Sequence, residues 1–192
     1  MARQRFLVTG ATGDTGSHAV KQLLVRGHQV RALAHGEDNR SKQLQKIGAE
    51  VVIGDFLDFD AMRTVLQGVR GAYFCYPIRP GILQATAYFS HAAKEAGVDC
   101  IVNMSQISAR EDAKSHAMCD QWLAERLFDW SGLTVAHLRD FRKTLELQYA
   151  ARTDRSHGRY RARRRSSSLH PKMDHRRNTT HRAGASLGIY RK

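Results

Sequence analysis

Through residues 1–139 the apolar positions switch back and forth between two periods. Phe6, Leu7 and Val8 form a short continuous apolar run, and beyond the next turn Ala19, Val20, Leu23 and Leu24 fall three and four apart, up to Gly27. The run predicts a buried strand, and the spacing predicts a helix closed by a glycine cap. The same alternation then repeats. Residues 29–34 make a second strand; Leu44 and Ile47 mark a short second helix; residues 50–54 make a buried third strand that ends at Asp55. Asp60 stands as cap before Ala61, Met62, Val65 and Leu66, a helix that ends near Gly68. Residues 71–76 form a fourth strand, stopped by Pro77, and Ile82, Ala85, Phe89, Ala92, Ala93 and Ala96 share a helical face that Gly97 closes. A fifth strand carries Ser105 to its end, a helix over about 113–130 groups Leu123, Leu127 and Trp130, and residues 133–138 form a sixth strand. Trp122 and Trp130 are expected to pack rather than to stack on a ligand. Such alternation calls for an α/β fold, a doubly wound parallel sheet of Rossmann type with its binding crevice at the carboxyl ends of the strands. Gly13, His35, Asp55, Tyr76 and Ser105 all fall on that edge.

The first strand-to-helix turn carries the clearest chemistry. Gly10, Gly13 and Gly16 are spaced three apart, with Thr12, Asp14 and Thr15 between them. A turn of this kind needs a sharp bend at the first glycine, close approach to a ligand diphosphate at the second, and tight packing of helix on strand at the third. The free N–H groups at the helix start then meet phosphate, aided by the positive end of the helix dipole. The turn is therefore expected to cradle a dinucleotide. After the second strand, His35, Arg40 and Lys42 are placed to meet a 2′-phosphate, whereas Glu37 and Asp38 lie late for ribose hydroxyls; this favours NADP(H) over NAD(H). Arg40 and Lys42 also suit a solvated loop and helix start. Asp55 is placed either to accept from the adenine amino group or to cap the turn that follows.

Composition changes the picture at one end of the chain. The formal net charge is +13, but residues 1–150 hold 18 Lys/Arg and 16 Asp/Glu, a balance of +2, while residues 151–192 hold 13 and 2, a balance of +11. A dinucleotide-binding domain over 1–150 is thus followed by a basic tail, expected to be disordered, over 151–192. No apolar run approaches the roughly 20 residues of a membrane span, and the start of the chain is too polar for a secretory leader, so a cytoplasmic location is expected. Cys75, Cys100 and Cys119 have no paired metal spacing, and His170, His175 and His181 are too far apart, so no metal site is expected.

Several stretches together resemble the NmrA-like atypical short-chain dehydrogenase/reductases. They are Leu7-Val8-Thr9-Gly10-Ala11-Thr12-Gly13, Gly27-His28-Gln29-Val30-Arg31-Ala32-Leu33, Gly48-Ala49-Glu50-Val51-Val52-Ile53-Gly54-Asp55, Ala96-Gly97-Val98, and Ser131-Gly132-Leu133-Thr134 through Leu138-Arg139. The likeness covers about residues 5–139. It implies a Rossmann fold for NADP(H) or NAD(H), with Gly10, Gly13 and Gly16 at the diphosphate and Tyr76 and Ser105 flanking the nicotinamide. It also implies either reduction of a small carbonyl or quinone substrate, or loss of catalysis and a role as a redox sensor that binds a protein partner.

The chain departs from that family in three places. His35 stands where members often carry an arginine for the 2′-phosphate. The Tyr-x-x-x-Lys pair, in which a lysine lowers the tyrosine pKa for proton donation, is missing; Ser105 could bond a substrate carbonyl and His116 supply a proton, or the two could be a strand-end hydroxyl and a solvent-facing imidazole. After Arg139 the sequence runs Asp140-Phe141-Arg142-Lys143 instead of into a substrate lobe, which is expected to be absent. A shifted reading frame in a GC-rich gene, a disordered appendage and a nucleic-acid contact would each give the Arg/Ser/His-rich composition beyond Arg152. Poor aromatic interleaving makes nucleic acid the least favoured partner.

Overall fold

The computed structural model describes residues 4–140. Strands and helices alternate along them as β1 (Arg5–Val8), α1 (Asp14–Val25), β2 (Gln29–Ala34), α2 (Asn39–Lys46), β3 (Glu50–Ile53), α3 (Phe59–Leu66), β4 (Gly71–Phe74), α4 (Ile82–Glu95), β5 (Cys100–Gln106), α5 (His116–Trp130) and β6 (Val135–Asp140). The strands form one six-stranded sheet in the order β3-β2-β1-β4-β5-β6, with every neighbouring pair parallel. The expected doubly wound Rossmann-like sheet is thus present. The expected domain boundary near residue 150 and the basic segment 151–192 lie outside the described residues. Among the described residues no helix is long and apolar enough to cross a membrane.

The apolar runs are buried because helices cover both faces of a parallel sheet. On one face Val8, Val20, Val30, Ala32, Leu44 and Ala49 form a core with α1 and α2. On the other, Phe74, Phe89 and Phe128 are almost fully buried and meet at tilted or edge-on angles, with ring centroids 4.8–6.4 Å apart. Such pairing adds about 0.5–1.5 kcal/mol per pair to the area that the rings bury. One cation is enclosed as well: Arg31 donates to Glu50 at 3.0 Å and to the carbonyl oxygens of Val65 at 2.7 Å and Gln67 at 3.1 Å, so β2 supplies positive charge to the carbonyl end of α3.

Local details depart from the pattern reading for physical reasons. β3 is the edge of the sheet, not an interior strand, and Ile53 is 45% exposed. Asp58, not Asp60, caps α3 by accepting from the Ala61 amide at 3.0 Å, which lets the helix begin at Phe59, whose ring packs on Tyr88 and His91. α2 is capped by Asp38 in a reciprocal box with Ser41, and Ile47 lies beyond its end, half exposed. The inward face of α5 is Gln121, Ala124, Glu125 and Phe128, one position out of phase with Leu123 and Leu127, and Trp130 is 72% exposed rather than packed. α1 ends as expected, in a Schellman motif where Gly27 donates to the Leu24 carbonyl and His28 to that of Leu23.

Candidate dinucleotide site

β1 is flanked by β2 on one side and β4 on the other, so the connections leave it in opposite directions and a crevice opens at its carboxyl end. Thr9, fully buried just past β1, holds that seam. Its amide and hydroxyl both donate to the Tyr73 carbonyl, at 2.9 and 3.2 Å, and the hydroxyl accepts from the Cys75 amide at 2.8 Å.

The glycine turn follows directly. Gly10 has φ +59, and a Cβ there would fall 2.8 Å from the Cys75 carbonyl oxygen. A Cβ on Gly16 would overlap the Gly10 carbonyl, so helix and turn meet backbone to backbone. Gly13 donates to the Gly10 carbonyl at 3.0 Å and serves as extended N-cap of α1, with no side chain capping the helix. The first-turn amides of α1 are thereby left for an outside acceptor.

These amides border a cleft of about 1130 Å³. Gly10, Thr12, Gly13, Asp14 and Thr15 line it, together with His35 at the start of the β2–α2 connection and Arg40 in the first turn of α2. Arg40 is exposed and pairs with Asp38 at 2.8 Å. The Ser41 amide and Arg40 hold the Asp38 carboxyl below its ordinary range. Gly16 underlies the cleft instead of lining it, as its packing role requires. Asp55 accepts from the Leu57 amide at 3.0 Å and so caps the turn after β3, between Gly54 and Phe56, which both line the cleft.

Three other candidates do not line the cleft. Tyr76 is buried, and its hydroxyl donates to the Pro80 carbonyl at 3.0 Å. Ser105 is fully buried and donates to Glu125 at 2.5 Å; successive strand residues face opposite sides, so Met104, its neighbour, is the β5 residue that lines the cleft. Glu125 also receives Arg139 through Nε at 3.1 Å and Nη2 at 2.7 Å. Burial alone would raise the Glu125 carboxyl, but the bonds from Arg139 and Ser105 outweigh it and hold the group below its usual range; Arg139 is pushed up in return. His116 is the exposed first residue of α5. The cleft also takes in Tyr73, Cys75, Pro77, Arg79, His18 and Phe56, which sequence reasoning did not single out. Position just after β4 was the only available signal for Cys75, Pro77 and Arg79. Among the described residues no group of His, Cys, Asp and Glu is arranged to hold a metal.

A turn that excludes Cβ atoms, an uncapped helix start and a long cleft over the switch point together fit a dinucleotide. The family model for NAD(P)H-binding proteins matches residues 10–166. Sterol demethylase protein B of Methylococcus capsulatus is 33% identical over 114 residues, which cover 54% of this chain and 34% of that protein. The NADPH-dependent quinone oxidoreductase of Escherichia coli, solved with NADPH, superposes with a TM-score of 0.63 at 24% identity, over 79% of this chain and 54% of that one. A double mutant of NmrA gives a TM-score of 0.63 at 21% identity, over 71% of this chain and 45% of that one. The chain thus spans about a third to a half of the length of these proteins. It belongs to the NAD(P)H-binding family, and its fold is the one that NmrA also has.

Proposed function

We propose that this protein binds NADP(H) in preference to NAD(H) and passes hydride between the nicotinamide and a small carbonyl or quinone compound, in the cytoplasm. The observation that carries the reading is the uncapped start of α1 at a turn where Gly10 and Gly16 leave no room for a Cβ. In this reading Gly10, Thr12, Gly13 and Thr15 surround the diphosphate, with Gly16 packed beneath them, His35 and Arg40 take the 2′-phosphate, and Asp55 meets the adenine. Cys75, Pro77 and Met104 line the cleft on the β4–β5 side, where the nicotinamide would lie. The bound nicotinamide supplies the hydride; the chain supplies position and a wall that limits water. The name of the quinone oxidoreductase neighbour supports the substrate class.

A second reading is a redox sensor that binds a protein partner according to its dinucleotide load. It is favoured by the commitment of the Ser105 hydroxyl to Glu125 and by the missing Tyr-x-x-x-Lys pair. Fluorescence titration with NADPH and NADH tests both, and the absence of any saturable change refutes both. Oxidation of bound NADPH by members of a quinone and aldehyde panel supports the reductase, whereas saturable binding without oxidation supports the sensor.

A further inference from the structure

Among the described residues the cleft contains one permanent cation without an anionic partner. Arg40 is engaged with Asp38. Arg79, on the segment after β4, makes no ion pair or guanidinium hydrogen bond among the described residues. Its guanidinium instead lies over the Tyr76 ring, 5.4 Å from the centroid.

That perch is built rather than incidental. Tyr76 is 2% exposed and cannot swing away, and its hydroxyl holds the Pro80 carbonyl. The Arg79 amide donates to the Pro77 carbonyl at 2.9 Å, and prolines at 77 and 80 stiffen the backbone on either side. Gly81 has φ +101, and a Cβ there would fall 2.8 Å from the Tyr76 hydroxyl. A cation held over an aromatic ring is positioned without an oxygen acceptor, so the guanidinium N–H donors are left for a ligand.

The opposite requirement comes from the glycine turn. Asp14, the first residue of α1, lines the same cleft as an exposed carboxylate with no ion pair among the described residues. A carboxylate beside the helix start opposes the anion that the free amides are arranged to bind. A cation on the wall of the same cleft would offset it.

We propose that Arg79 completes the phosphate site: its N–H donors take a diphosphate oxygen of the cofactor from the wall after β4, while the α1 amides take the oxygens on the helix side. The proposal rests on the dinucleotide reading of the cleft. It separates two cationic roles, with Arg79 on the group that NAD and NADP share and Arg40 on the 2′-phosphate that only NADP carries.

The test measures dissociation constants of the full chain for NADH, NADPH and ADP-ribose, with Arg79→Gln and Arg79→Lys beside the wild type. Arg79→Gln weakens all three ligands by the same factor, about tenfold, as expected for one charge-assisted hydrogen bond. Arg79→Lys recovers part of the loss, and both variants keep the wild-type melting temperature within about 2 °C. Affinities unchanged within about twofold overturn the proposal. So does a loss confined to NADPH, which would move Arg79 to the 2′-phosphate, or a loss seen with NADH but not ADP-ribose, which would move it to the nicotinamide. A wild-type chain that binds none of the three refutes the dinucleotide reading beneath, so the two failures are distinct.

Discussion

Glu125 joins three elements of the fold away from the cleft. Its carboxylate is fully buried, accepts the Ser105 hydroxyl, and receives both Nε and Nη2 of Arg139, which ties α5 to the ends of β5 and β6. Glu125→Ala would leave the buried Ser105 hydroxyl without its acceptor, a loss of about 1–3 kcal/mol. Breaking a buried ion pair costs about 3–5 kcal/mol when the remaining charge stays trapped. Here the Arg139 side chain is 45% exposed and recovers hydration, so the pair belongs below that range. A combined loss of about 3 kcal/mol, or about 10 °C in melting temperature for a folded unit of this size, is expected at pH 7. The pH dependence follows from the lowered Glu125 carboxyl. Its stabilisation is complete above the ordinary glutamate value of about 4.3 and disappears as pH falls through the lower folded-state value. Urea unfolding of wild type and Glu125→Gln, which keeps shape and loses charge, should therefore show a gap at pH 7 that narrows in acid. An equal gap at both ends of the pH range, or a Glu125→Ala penalty under about 0.5 kcal/mol, would refute the reasoning.

Ser105→Ala should lower stability by about 1 kcal/mol and leave dinucleotide affinity unchanged; loss of turnover at unchanged stability would instead make Ser105 catalytic. The glycines of the turn should separate by mechanism. Gly16→Ala forces a Cβ into the Gly10 carbonyl and should lower the melting temperature, whereas Gly13→Ala, whose Cβ meets only the Gly10 oxygen at 3.3 Å, should fold and bind NADPH at least about tenfold more weakly in titration. Arg40→Ala should weaken NADPH by about tenfold and leave NADH within about twofold; equal losses would remove Arg40 from the 2′-phosphate.

Features set by neighbours in the chain were legible in advance. The limits of β2 and the end of α1 at Gly27 follow from local spacing, as does the placement of Gly10, Thr12, Gly13, Asp14 and Thr15 on one cleft. What depends on contacts distant in sequence was not. Periodicity ranks Leu123, Leu127 and Trp130 as the buried side of α5, because it gives a lone glutamate no credit for an arginine 14 positions away. The Ser105 hydroxyl looked available for the same reason: its acceptor lies 20 residues on. Asp58 and Asp60 are equally good caps by composition, and the choice is made by where Phe59 must pack. Arg79 has no spacing signature, since its place is defined by a ring that folding brings beneath it.

The hydroxyl of Thr9 has a consequence for how the cleft behaves over time. By joining Tyr73 and Cys75 across the point where β1 and β4 part, it acts as a rivet at the tip of a split. Without it, thermal breathing would begin at the mouth and unzip the two central strands toward their amino ends. With it, opening the crevice wider requires breaking buried bonds together, so the cleft's inner width is set before any ligand arrives. The Cys75 amide, one residue past the end of its strand, should accordingly resist hydrogen exchange as long as the middle of the sheet does.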